Sequence, residues 1–226
     1  CPVVVEYIRK YSPDHVRFIT PIISPMLAHA KILKQLYGED VKIVFAGPCI
    51  CKKLEADYFN NLVDVVITFK DLKKWFEQSD INLKNIAPNQ PEARFVPYRS
   101  GMGAYYPIEG GMLKGMQEGK KQIHHMAFSE LSTVKDVLKE LDSHRENDSI
   151  FLELLACKGG CINGPAKLSH ISPALKRYEI IHQSELGNPK DDFKNIDLQI
   201  LFCKDPHVQD HTYTEEEIKQ AMAVVG

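Results

Sequence analysis

"LLACKGGCING", residues 154–164, sets Cys157 and Cys161 around three residues, two of them glycine. The apolar run of residues 150–155 leads in and reads as a β-strand, and Asn163-Gly164-Pro165 leads out as a turn. A second strand-like run, residues 41–46, ends in the same way at Gly47-Pro48-Cys49. Two strands that each deliver a thiol into a tight turn point to one architecture. In open α/β sheets, ligands bind at the C-terminal ends of the strands.

The rest of the chain fits that frame. Residues 2–11 read as a helix ended by Ser12-Pro13, and Ser24-Pro25 opens a helix that runs to Gly38, with proline at its first position. Residues 63–68 and 123–128 read as strands, followed by helices over 70–78 and 134–141. Between them, residues 84–108 carry four prolines and form a long irregular connection. Gly110-Gly111 is expected to open a short helix through Met116. A last strand is predicted over 198–202, and Thr214 with Glu217 forms a capping box starting a terminal helix through Val225. The alternation implies α/β architecture: two βαβ-type lobes with mainly parallel sheets flanked by helices, roughly 1–110 and 111–226, with the site between them at the strand ends.

Composition narrows the function. A chain of 226 residues that is 44% hydrophobic can bury a real core. Its formal charge of -2, with lysine and arginine scattered, invites neither nucleic acid nor an anionic membrane. No apolar stretch approaches the roughly 20 residues needed to span a bilayer, and no signal peptide is visible. The chain begins at Cys1-Pro2 without methionine, so it is expected to be a fragment of a longer, multi-domain protein. Six cysteines are too few for a disulfide scaffold and suit a reducing, cytoplasmic setting.

Several readings of the cysteines stand side by side. Cys203 reads as a packing residue, and Cys51 is ambiguous. A disulfide between Cys157 and Cys161 is disfavoured in a reducing compartment. Zinc suits the C-x3-C pair but not the C-x-C spacing of Cys49 and Cys51. An iron–sulfur cluster wants four thiolates, which Cys1, Cys49, Cys157 and Cys161 can supply, with glycines letting main-chain amides approach the sulfides. Spacing alone leaves zinc and iron–sulfur level. His124-His125, His207 and His211 take only the plain reading of strand or solvent-facing residues.

Three motifs in order then tip the balance. Cys1-Pro2, the segment Gly47-Pro48-Cys49-Ile50-Cys51-Lys52-Lys53-Leu54-Glu55 and the segment Ala156-Cys157-Lys158-Gly159-Gly160-Cys161-Ile162-Asn163-Gly164 resemble the cofactor-holding motifs of the H-cluster domain of iron-only (FeFe) hydrogenases. Tyr11, Pro13, Ser24-Pro25, the strand around Val65 and Gly110-Gly111-Met112 match in order between them. The resemblance implies that Cys1, Cys49, Cys157 and Cys161 ligate a 4Fe–4S cubane. The Cys161 sulfur would bridge to a two-iron subcluster carrying CO, cyanide and an azadithiolate, where H2 is split or made. It further implies that Lys52 donates to a cyanide, that Glu55 and Thr20 relay protons, and that Gly110 and Gly111 crowd the diatomic ligands.

The departures from the family pattern gather around the two-iron pocket. Gly47 and Leu155 stand where the family has methionines, Met26 stands for a glutamine, Thr20 for the relay serine, and Asn163-Gly164-Pro165 for a run of glycines. The proton-donating cysteine would precede Cys1. These changes resemble the divergent, sensory branch of the family, whose members fuse this domain to ferredoxin-like clusters, PAS modules and signalling outputs. The function so implied is reversible H2 oxidation and proton reduction in an anaerobic setting, slow and used for H2 or redox sensing, with a ferredoxin or ferredoxin-like domain as electron partner. The alternative is a non-enzymatic 4Fe–4S protein for electron transfer, sensing or cluster assembly.

Overall fold

The computed structural model describes residues 1–59, 62–85, 95, 97, 100–116, 123–141, 149–185 and 198–202. Cys203, His207, His211 and the expected helix begun by the Thr214 capping box lie outside the described residues.

Two βαβ units form the frame. After helices α1 (Pro2–Tyr11) and α2 (Pro25–Tyr37), strand β1 (Val44–Gly47) leads into α3 (Cys51–Tyr58) and returns as β2 (Val65–Thr68). β1 and β2 are parallel, from Val44 opposite Val65 to Gly47 opposite Thr68. Helix α4 (Phe69–Gln78) follows at once, started by a capping box in which Thr68 and Asp71 exchange hydrogen bonds of 2.8 and 3.1 Å. The second unit runs from β3 (Ile123–Ser129) through α5 (Leu131–Glu140) to β4 (Ser149–Leu155), again parallel, ending with Ser129 opposite Leu155. Helix α6 (Pro173–Glu185) is the last described α-helix. The expected α/β class, with short parallel sheets flanked by helices, is what forms.

Local chemistry explains the helices. In α2, Met26, Leu27, Ala30 and Lys34 fall on one buried face at helical spacing. The helix stops at Gly38, whose φ of +98° admits the turn and whose N–H donates to the Lys34 carbonyl at 2.8 Å. Leu27, 1% exposed, anchors a core shared with Ile23, Ala30, Ile43, Ala56 and Val63. Full burial of one such side chain is worth about 1.5–3 kcal/mol. A second core joins Val4 and Ile8, one helical turn apart on α1, to Val134 and Leu138 of α5. The first helix of the chain is therefore clamped to the second βαβ unit.

Two predicted elements differ. The helix expected from Gly110 to Met116 is only a 3-10 turn over Leu113–Gly115. Gly110 sits at φ +74°, and a Cβ on Gly111 would collide with the Tyr105 carbonyl, so this segment is a packed turn. The strand expected over 198–202 is a 3-10 turn, Leu198–Leu201, after which Phe202 makes a single antiparallel bridge to Ile22. One bridge does not propagate a ladder. Helix α6 was not foreseen, although Ser172-Pro173 repeats the Ser24-Pro25 signal. The Ser172 hydroxyl accepts the Leu175 N–H at 3.2 Å, the cap that starts it.

Candidate metal-cluster site

Each cysteine motif is fixed by its element. β1 ends at Gly47, and Pro48-Cys49 passes directly into α3. β4 ends at Leu155, two residues before Cys157. The two loops meet: the Ala166 N–H donates to the Pro48 carbonyl at 3.0 Å, and a Cβ on Gly164 would stand 2.8 Å from that same oxygen. Cys1 opens α1, its carbonyl accepting the Val4 and Val5 N–H groups at 3.1 Å. Cys1 is exposed as a residue; its amino group lies within electrostatic reach of Lys52, Glu55, Cys161 and Cys49.

The 157–164 loop is a main-chain construction. Gly160 N–H donates to Cys157 O at 2.9 Å and Gly164 N–H to Cys161 O at 2.8 Å. Gly159 and Gly160 adopt φ of +74° and +107°. A side chain on Gly160 would strike the Pro107 carbonyl and lie 2.7 Å from the Ile108 Cα. The loop therefore rests flat on the 107–109 segment, where Ile162 N–H donates to Pro107 O at 3.1 Å and Glu109 N–H to Gly159 O at 3.3 Å. The Ser129 hydroxyl, at the end of β3, donates to Glu109 and accepts the Gly159 N–H at 2.8 Å.

Cys49, Cys157 and Cys161 are half-buried free thiols. Burial, and then the proximity of Cys49, pushes the Cys157 thiol pKa up. Burial also raises Cys161, with Cys157 and Cys49 adding and Lys52 opposing. Metal binding at such thiols has to displace their protons. Among the described residues no three His, Cys, Asp or Glu side chains close on a point as a single ion requires. A four-iron cluster spreads its thiolates more widely than one tetrahedral ion does. The donor set, thiols alone with a glycine cradle, suits a cluster.

Lys52 and Glu55 lie beside the thiols on α3. Lys52 Nζ is 2.6 Å from Glu55 Oε2, both side chains being 14% exposed, and it donates to Ser24 Oγ at 2.9 Å. A cavity of about 100 Å³ opens behind them, lined by Glu6, Thr20, Cys51, Glu55 and Tyr58 among others. Thr20 thus joins Glu55 across a cavity. Glu6 was missed by the sequence reading; it is held by Arg9 at 2.9 Å and Tyr58 at 3.4 Å. Gly110 and Gly111 sit on the turn that follows the 107–109 segment, as close-packed backbone. On β3, His124 is exposed and His125 stacks edge-on against Phe151, its cross-strand partner.

A sequence profile described as the iron only hydrogenase large subunit, C-terminal domain, matches residues 1–165. The chain belongs to the iron-only hydrogenase large subunit family. This hydrogenase-family domain is 24% identical to iron hydrogenase 1 of Clostridium pasteurianum, the match covering 92% of the chain and 42% of that protein. It is 26% identical to a probable cytosolic Fe-S cluster assembly factor of Drosophila mojavensis, over 84% of the chain and 52% of that protein. The chain thus spans about half the length of these curated relatives. Among solved structures, it superposes with a TM-score of 0.56 and 19% identity on an apo [FeFe]-hydrogenase from Chlamydomonas reinhardtii, covering 80% of the chain and 64% of that structure. The fold is thus the hydrogenase-domain fold, and no described helix is long and apolar enough to cross a membrane.

Proposed function

We propose that this domain binds a 4Fe–4S cubane through Cys1, Cys49, Cys157 and Cys161 and works as a cytoplasmic redox domain of FeFe-hydrogenase type, interconverting protons and H2 slowly, for sensing. The observation that supports the reading most is the contact of the Cys49 loop with the loop after Cys161, with Cys1 in electrostatic reach of Cys49 and Cys161 and a half-buried Lys52–Glu55 pair alongside. When bound at Cys161, the two-iron group supplies the metal centre at which H2 is made or split.

The chain's own residues supply the rest. An ammonium has three donors, and Glu55 and Ser24 take two. The third is left for an anionic ligand, which a charged donor binds strongly. Glu55 holds the Lys52 head in place and also faces the cavity, which has room for several waters. Protons then pass between Glu55, Thr20 and Glu6 through those waters. Electrons come from a ferredoxin or ferredoxin-like domain. A relative from Solidesulfovibrio fructosivorans, 22% identical, is a subunit of an NADP-reducing hydrogenase, which fits a domain working within a larger electron-transfer assembly.

The second reading is a cubane-only protein for electron transfer, redox sensing or cluster assembly. The kinship with cytosolic Fe-S cluster assembly factors favours it. Infrared spectra of anaerobically matured protein separate the two. Bands of CO and cyanide on iron support the hydrogenase reading; a loaded cubane without them leaves the second.

A further inference from the structure

Glu153 is 4% exposed, a carboxylate carried into the interior on β4 four residues before Cys157. A buried carboxylate is expensive unless its oxygens are taken. Here one oxygen, Oε2, accepts the main-chain N–H groups of Met112 at 3.2 Å and Leu113 at 3.3 Å. Those two amides belong to the turn that begins at Gly110-Gly111. The same turn follows directly on the 107–109 segment, against which the 157–162 loop is seated. The front of this segment is tied to the cysteine loop by Pro107, Glu109 and Ser129. Its back is tied by Glu153 to the strand that delivers Cys157.

We propose that Glu153 is a positioning residue of the cluster site, the peg on which the 110–113 turn hangs. Through it β4 sets both the thiol of Cys157 and the main chain that stands over the 157–161 loop. The consequence for metal rests on the cluster-binding reading above; the peg itself does not. Because both hydrogen bonds fall on one oxygen, a glutamine can keep them with its carbonyl oxygen while losing the charge. Aspartate keeps the charge but withdraws the acceptor by one methylene.

The test uses the full chain, as wild type, E153Q, E153D and E153L, with and without reconstituted 4Fe–4S cluster. Two readouts are followed: amide hydrogen exchange at Met112 and Leu113, and the EPR spectrum of the reduced cluster. E153D and E153L should speed exchange at these two amides by about tenfold or more, an unpaired buried donor having lost its partner, and shift the EPR line positions. E153Q should keep wild-type exchange and a wild-type spectrum. The proposal is overturned if E153Q behaves like E153D, or if E153D and E153L leave the exchange or the spectrum unchanged. Should E153L fail to fold, the contrast of E153Q with E153D decides alone. If the wild type takes up no cluster, the cluster reading fails, while exchange in the metal-free protein still reads the peg.

Discussion

Replacing Gly160 with alanine tests whether the 157–164 loop is as tightly seated as its geometry requires. Gly160 has φ +107° and ψ -180°, a region essentially reserved for glycine. Holding another residue there costs on the order of 2 kcal/mol. The new Cβ would also meet Pro107 O, Ile108 Cα and Glu109 N, the last two at 2.7 and 2.9 Å. All three are main-chain atoms and cannot swing away, so overpacking adds about another 2 kcal/mol. Gly38→Ala is the control: its φ is +98° and nothing lies within 4 Å of the added Cβ, so it carries the backbone strain alone. At about 2–4 °C per kcal/mol for a domain of this size, Gly160→Ala should lower Tm by about 8–16 °C and Gly38→Ala by about 4–8 °C. The assay is thermal unfolding of metal-free protein, followed by iron determination after reconstitution. Gly160→Ala should also bind less iron, and Gly38→Ala the full complement. Equal Tm losses with full iron in both would refute the seating of the loop on the 107–109 segment.

Further expectations concern the ligands and the charges. Cys157→Ala should abolish cubane binding, while Cys161→Ala should lose any CO and cyanide infrared bands; a full cluster in Cys157→Ala would show that the ligand set is wrong. Burial raises the Glu153 pKa above the ordinary glutamate value, against the donation of the Leu113 and Met112 amides. The native state then holds this proton more tightly than the unfolded chain, so its stabilising effect is complete below the ordinary pKa and is lost as pH rises through the raised value. Measured in metal-free protein, the Tm of E153Q relative to wild type should therefore climb across that window, and a flat difference would contradict the sign. A double-mutant cycle of Lys52→Met and Glu55→Gln should give a coupling of about 1–3 kcal/mol, less than the 3–5 lost when a fully buried pair is stripped of one partner, because both side chains keep 14% exposure. Chemical denaturation of the four proteins measures it, and a coupling near zero would mean that the 2.6 Å contact is not held in solution.

The sequence carried the strands and the thiols plainly, because both rest on strong local signals. β4 reads as an apolar run that stops at a cysteine, and α2 reads from Ser24-Pro25 to Gly38. The 110–116 segment misled because a glycine pair before apolar residues looks like a helix start, and the tertiary fact that decides it, the Tyr105 carbonyl under Gly111, lies outside the window. Residues 198–202 misled in the other direction: their β-like composition finds only one bridge partner, at Ile22. Glu153 was invisible for a related reason. In "FLELLAC" a lone glutamate on a half-buried strand looks like the polar half of an alternation, whereas it faces inward to meet amides 40 residues earlier in the chain. Glu6 likewise reads as a surface residue of an amphipathic helix until α3 brings Tyr58 over it.

The candidate cluster site divides into two halves with different origins. Cys157 and Cys161 belong to a block in which the cysteine loop, the 107–113 segment, the end of β3 and Glu153 are tied together by main-chain hydrogen bonds, by main-chain N–H groups donating to Ser129 and Glu153, and by glycine contacts. None of these ties involves a thiol, so this half owes its shape to the protein alone. Cys1 and Cys49 arrive on other elements. Cys1 is steered by Val4 and Ile8 in the second core, and Cys49 by β1 and the Pro48–Ala166 hydrogen bond. α1 therefore has a double role, since the helix that presents Cys1 also packs on α5, beneath the strand pair that presents Cys157. A cluster bound across the halves would cross-link α1, β1 and β4, and its binding energy would appear as stability of the whole domain. Metal binding and the packing of α1 should then be coupled, so amide exchange in α1 should slow when the domain is loaded and quicken when the metal is removed.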